Sequence, residues 1–191
     1  MPVTLVLGGA RSGKSRYAQH LALKRSTSPV YLATSRVWDR DHARRIERHR
    51  ADRGPEWTTI EEERRLSRVG SSGRVVVVDC ITLWLTNLFA DAAGDTERAF
   101  EEAAAELDRA LALENDWIFV SNEIGMAPHA MTEAGRKFVD LQGFANQMLA
   151  SRAEDVILMV AGLPLAVRSG PGACPCCGAR VTPHKDGGQP K

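Results

Sequence analysis

The chain has 191 residues, 25 Lys and Arg against 24 Asp and Glu, and 43% hydrophobic residues. That length suits one domain with a three-layer core, and a net charge of +1 argues against a general nucleic-acid or anionic-membrane binder. No apolar run approaches the roughly 18 residues of a membrane span, the first strand runs into a glycine-rich loop rather than a signal peptide, and four cysteines make no disulfide framework, so a soluble cytoplasmic protein is expected.

The first predicted element is the apolar run Val3–Leu7, followed directly by Gly8-Gly9-Ala10-Arg11-Ser12-Gly13-Lys14-Ser15. Glycine, four residues, then Gly-Lys-Ser is the phosphate-binding loop pattern. Glycines let successive backbone N–H groups turn inward toward phosphate oxygens. A helix starting near Lys14 adds its positive N-terminal end at the same point. Lys14 would then reach the β- and γ-phosphates, and the Ser15 hydroxyl would take a place on Mg²⁺. Arg16–Leu23 reads as the amphipathic helix that this arrangement requires.

Further strands are expected at Val30–Ala33, Val75–Asp79, Trp117–Ser121 and Val156–Ala161. Each is continuously apolar, as strands covered on both faces are. Between them, Phe100, Ala104, Leu107 and Leu111 recur on one face of a helix over 97–113. Phe138, Leu141, Ala145, Met148 and Leu149 do the same over 136–152. Alternating strands and helices predict an α/β fold with a mostly parallel sheet and helices on both faces. Ligands of such sheets gather at the carboxyl ends of the strands, which directs attention to Gly8–Ser15, Thr34-Ser35, Asp79-Cys80, Ser121-Asn122-Glu123 and Gly162.

Asp79, closing a buried strand, suits the second ligand on the Mg²⁺ side, through water; a plain helix or turn cap is the structural reading. Cys80–Leu88 reads as the start of an apolar helix. Glu123 can orient a water, accept a hydroxyl proton or merely brace its loop. Between Arg36 and Arg53 the chain carries seven arginines and four acids, with His42 and His49 seven residues apart. A solvated surface helix accounts for that composition. So does an arginine cluster that gathers phosphates beside a nucleophilic imidazole. From Ser169 the chain turns Gly- and Pro-rich without helix or strand period. There Cys174, Cys176, Cys177 and His184 can be drawn as zinc ligands or as reduced thiols on a flexible tail. The expected organisation is a nucleotide-binding domain over 1–168 and a tail over 169–191.

Several motifs recur in one order: Leu7–Ser15, Tyr31–Ser35, Arg45-Ile46-Glu47-Arg48-His49-Arg50, Trp57–Glu61, Asp79–Leu88, Ser121–Met126 and Val160–Pro164. In this order the chain resembles the bifunctional adenosylcobinamide kinase/adenosylcobinamide-phosphate guanylyltransferase family of cobalamin biosynthesis, over roughly residues 3 to 168. The resemblance implies a P-loop NTPase fold of RecA-like type assembled as a trimer. It also implies two reactions: phosphorylation of adenosylcobinamide from ATP or GTP, then transfer of GMP from GTP onto adenosylcobinamide phosphate. By the same resemblance His49 is the nucleophile that carries GMP. The nucleotide is contacted by Gly8–Ser15 and around Ala33, Thr34 and Ser35, by Arg50 and Arg53 just past the histidine, and near Glu61 or Glu62.

Two stretches depart from the family pattern. Ala127–Glu133 differs from the Gly-Ile-Val-Pro-Glu type of sequence expected there, and the tail extends past the usual end. Two competing readings make different predictions. A plain small-molecule kinase using the loop, Asp79 and Glu123 forms no covalent nucleotide, and a nucleotide-gated binding module has negligible turnover. Neither has a use for His49.

Overall fold

A computed structural model describes residues 2–36 and 53–170. His49 and Arg50, the other histidine His42, and the cysteines and histidine of the tail lie outside the described residues. Strand β1 (Val3–Gly8) leads into helix α1 (Lys14–Arg25), followed by β2 (Val30–Ala33), β3 (Thr58–Glu61), a 3-10 turn over Leu66–Val69, and β4 (Val75–Asp79). Helices α2 (Ile81–Asp91) and α3 (Thr96–Leu111) precede β5 (Asp116–Val120); α4 (Glu133–Arg152) then leads to β6 (Asp155–Val160) and β7 (Leu163–Arg168).

The strands form one sheet in the order β3-β2-β4-β5-β1-β6-β7. All neighbours are parallel except β6 and β7. Two of these strands are additional to the five expected. β3, Thr-Thr-Ile-Glu, is a half-exposed edge strand with no apolar run to announce it. β7 carries Pro164, which an edge strand tolerates because its outer N–H groups need no partner. The return from β6 is a two-residue turn, Ala161 at φ 51° and Gly162 at φ 85°, the left-handed pair that matches strand twist in a tight hairpin.

The period-2 alternation of the strands sends side chains to two layers. Leu5, Val76, Val78, Trp117 and Phe119 pack with Trp84, Leu85, Leu107, Leu141 and Leu149 of α2, α3 and α4. Trp117 and Phe119 stack in parallel with centroids 5.5 Å apart. On the other side, Val6, Val77, Ile118, Val120 and Ile157 meet Ala18, Leu21 and Ala22 of α1. The buried stripe of α3 is Ala99, Ala103, Leu107 and Ala110, so Phe100, Ala104 and Leu111 flank it instead of centring it. Small residues dominate that stripe, which lets α3 lie close to its neighbours. Asp95 caps α3 by accepting from the Arg98 N–H, and Thr132 caps α4 by accepting from the Gly135 N–H.

Candidate active site

Register alone brings the expected site segments to one edge. Glu61 pairs with Ala33, Ala33 with Asp79, Asp79 with Val120 and Val120 with Val6. The loops leaving these strand ends therefore lie side by side, and the phosphate loop rises from the strand next to β5.

The loop's backbone explains its composition. Gly8 has φ 151°, and a Cβ there would lie 2.6 Å from the Met159 carbonyl oxygen and 2.7 Å from Ser12 Oγ. No side chain fits without moving β6. Gly13, at φ 94°, begins α1 without any side-chain cap, so the first N–H groups of the helix face the loop interior as anion donors. Arg11, also left-handed at φ 57°, holds a conformation that costs a non-glycine residue about 1 kcal/mol or more. The Gly162 N–H donates to the Ser12 carbonyl at 3.0 Å, so the β6–β7 turn fastens the loop from outside. Ser12 Oγ is buried and has no hydrogen-bond partner among the described residues. Lys14 is only 7% exposed, and its Nζ donates to the Gly9 carbonyl at 2.6 Å across the loop.

At the end of β4, Asp79 Oδ2 accepts from the Tyr31 hydroxyl at 2.8 Å. Burial, then the charge of Asp79, then this hydrogen bond push the Tyr31 hydroxyl far above its ordinary range, so it stays protonated as a donor. The Arg53 guanidinium lies 3.8 Å from the Tyr31 ring centroid, a cation–π contact, and among the described residues its buried Nε has no hydrogen-bond partner. Trp57 meets the same ring edge-on at 6.0 Å. Arg53 is thus placed beside the Asp79 corner, with its charge available to the strand-end edge.

Thr34 is buried, its hydroxyl donating to the Cys80 carbonyl at 2.8 Å. The Asn87 side-chain N–H groups reach the carbonyls of Thr34 at 2.8 Å and Glu63 at 3.1 Å, tying the Ala33–Ser35 segment to the 61–63 segment. Of the two expected acids, Glu62 is turned into its own loop, accepting from the N–H groups of Arg64 and Arg65 and from Arg68 Nη1. Burial opposes its charge, but these donors outweigh it and hold its carboxyl below the ordinary value. Glu61 is the exposed one, at the end of β3 beside Ala33.

Gln142 and Asn146 were not singled out by motif reasoning, and Tyr31 and Asn87 entered only as members of the Tyr31–Ser35 and Asp79–Leu88 motifs without an assigned role. Their signal was a polar atom inside an apolar stripe, most clearly the i, i+4 pair Gln142 and Asn146 on the buried face of α4. Cys80 is a buried free thiol, pushed up to about 12 by burial and then by the charge of Asp79. At pH 8 only roughly one molecule in 10⁴ carries the thiolate. Iodoacetamide at that pH should leave Cys80 unlabelled in the folded chain and label it after unfolding, as read by peptide mapping; fast native labelling would contradict this burial.

A glycine-bound loop between a buried strand and an uncapped helix, with an acid at the end of a strand one place beyond the neighbour, defines a P-loop nucleotide-binding α/β protein of RecA-like type. The profile of the cobinamide kinase / cobinamide phosphate guanyltransferase family matches residues 4–167, and the chain belongs to that family. It is 41% identical over 171 residues to the bifunctional adenosylcobalamin biosynthesis protein CobP of Pseudomonas aeruginosa, covering 87% of this chain and 98% of that one. It is 36% identical over 179 residues to the bifunctional adenosylcobalamin biosynthesis protein CobU of Escherichia coli K12, covering 86% and 98% respectively. A prototypical ATPase from the type III secretion system of pathogenic bacteria shares the fold at a TM-score of 0.51 and 10% identity, over 86% of this chain and 56% of the other. Among the described residues no helix is long and apolar enough to cross a membrane.

Proposed function

We propose that this chain is a bifunctional enzyme of adenosylcobalamin biosynthesis. It phosphorylates the aminopropanol hydroxyl of adenosylcobinamide from ATP or GTP. It then moves GMP from GTP onto adenosylcobinamide phosphate, releasing pyrophosphate and leaving adenosylcobinamide-GDP. The observation that carries this reading is the near end-to-end match to proteins named for both activities' pathway, on a chain whose phosphate loop is built as described above.

In this reading Gly8–Ser15 cradles the triphosphate: backbone N–H groups hold its oxygens, and the Lys14 ammonium swings from the Gly9 carbonyl to the phosphates. Ser15 and Asp79 offer a hydroxyl and a carboxylate, the hard oxygen donors that Mg²⁺ prefers. Held between these two side chains and the nucleotide, Mg²⁺ would offset phosphate charge. His49 attacks the α-phosphorus of GTP through a neutral ring nitrogen, the α–β bridging bond breaks and pyrophosphate leaves. A phosphate oxygen of the acceptor then displaces the imidazole. Arg50 and Arg53 offset the charge that develops; the seat of Arg53 on Tyr31 beside Asp79 supports that role. Ala33, Thr34, Ser35 and Glu61 flank the nucleotide, while the donors around Glu62 favour a loop-fixing part for it.

The chain works as a trimer in the cytoplasm. Leu163, Leu165 and Val167 on edge strand β7 are 72%, 57% and 64% exposed, an apolar stripe of the kind that marks contact between subunits.

The deciding experiment is the intact mass of the protein after incubation with GTP and Mg²⁺. A GMP adduct that is lost in acid is expected, because a phosphoramidate breaks in acid whereas a serine ester persists. No adduct on folded, GTP-binding protein would leave the plain kinase reading in its place.

A further inference from the structure

The end of β5 is braced more thoroughly than a strand terminus requires. Ser121 Oγ donates to Asn146 Oδ1 at 2.7 Å and accepts from Gln142 Nε2 at 2.9 Å. Gln142 Nε2 also reaches Asn146 Oδ1 at 3.0 Å, and Asn146 Nδ2 donates to the Asn122 carbonyl at 3.1 Å. From the other side, the backbone N–H and side-chain Nδ2 of Asn122 both donate to Thr82 Oγ1, at 3.1 and 3.0 Å. Ser121, Gln142 and Asn146 are buried. Two helices, α2 and α4, therefore fix the residues immediately before Glu123. The donors of this buried network are all engaged, although Gln142 Oε1 accepts no hydrogen bond among the described residues, and its shared bonds hold the strand end in place.

Glu123 is delivered by that brace to the phosphate loop. Its N–H donates to the Gly8 carbonyl at 3.1 Å, so its Cα rides on the first glycine of the loop. One carboxylate oxygen, Oε1, accepts from the Gly125 N–H at 3.1 Å; Oε2 accepts no hydrogen bond among the described residues. Of other carboxylates at this edge, Glu62 has both oxygens engaged, while Asp79 accepts through Oδ2 from Tyr31 and Glu63 through Oε2 from Arg36, and neither of these two is tied to the phosphate loop. Glu123 alone of these four combines a rigid seat on the phosphate loop with an uncommitted oxygen.

The geometry points to Glu123 as the general base of the phosphoryl-transfer half-reaction, an inference that rests on the kinase activity proposed above. Oε2 takes the proton of the acceptor hydroxyl as its oxygen bonds to the γ-phosphorus. The bond from that phosphorus to the β–γ bridging oxygen breaks, and the nucleoside diphosphate leaves with the electron pair. Glu123 afterwards returns its proton to solvent. The guanylyl half-reaction has no such need, since its attacking groups are a neutral imidazole and an already ionised phosphate. One carboxylate thus serves one of the two reactions on a shared nucleotide site.

Glu123→Gln separates the base from the brace, because glutamine keeps an Oε1 acceptor for the Gly125 N–H but cannot take a proton. The full-length chain is assayed twice: for phosphoryl transfer to adenosylcobinamide, and for GMP transfer to adenosylcobinamide phosphate supplied directly. The expected result is a kinase kcat lower by about 10²–10³, the usual scale of general-base loss, with nucleotide KM and GMP transfer unchanged. Glu123→Asp, which retains the base on a shorter arm, should recover part of the kinase rate. Equal losses in both assays would mean that Glu123 only shapes the loop, and an unimpaired kinase would overturn the base assignment outright. A parent chain that transfers GMP yet never phosphorylates adenosylcobinamide would remove the kinase activity itself and this role with it.

Discussion

Lys14→Ala should lower the kinase and the guanylyl transfer together, each by about 10²–10³ in kcat, or roughly 3–4 kcal/mol of transition-state stabilisation. In the proposed scheme each reaction cleaves a bond within a nucleoside triphosphate on the same loop, at the γ-phosphorus of ATP or GTP in one and the α-phosphorus of GTP in the other, and both leave negative charge on the phosphates that the loop holds. The ammonium is nearly excluded from water at 7% exposure and is already aimed across the loop at the Gly9 carbonyl, 2.6 Å away. A fixed charge in such surroundings acts more strongly than the same charge in bulk water. Steady-state rates for each half-reaction, with circular dichroism to confirm the fold, check the prediction. A variant that lost one activity and kept the other would mean two nucleotide sites, and the shared-loop reading would fall.

How much of this was legible before the structure depended on whether the signal was local. The phosphate loop was, because its spacing carries its own geometry: Gly8 where β6 leaves no room for a Cβ, Gly13 where the helix begins left-handed and uncapped. The central strands were legible too, since burial on both faces writes itself as unbroken runs such as Val75–Val78. β3 was hidden because an edge strand of four residues, with polar side chains facing water, has no such run. β7 was hidden because its exposed face is the apolar one, the reverse of the usual alternation, and because it carries a proline, which strands seldom do. The supporting residues of the site were invisible for a different reason. Tyr31 meets Asp79 only through the parallel register of β2 and β4, and Asn146 reaches Asn122 across 24 positions of sequence. A polar residue on an apolar helix face says that a partner exists, and only the tertiary structure says which one.

His49→Ala should abolish the GMP adduct and reduce GMP transfer by about 10⁴ or more, since loss of a covalent nucleophile leaves only the rate that binding and charge stabilisation sustain. The kinase should persist, because attack by the acceptor hydroxyl at the γ-phosphorus makes no use of an imidazole. The measurement is intact mass with GTP and Mg²⁺, parent beside variant, followed by the kinase assay on the same preparations. Retention of an acid-labile adduct in the variant would move the nucleophile to another residue. Loss of the kinase as well would show that the histidine segment is needed to hold nucleotide for both reactions. The consequence reaches further when this variant is set against Glu123→Gln, whose defect is expected on the opposite side. The product of the first reaction is a diffusible phosphomonoester, so His49→Ala makes what Glu123→Gln can consume. Mixed together with adenosylcobinamide and GTP, the two variants should yield adenosylcobinamide-GDP at a rate that neither approaches alone. Such rescue requires each protein to retain one intact half of the chemistry, which general damage to a common fold would not provide.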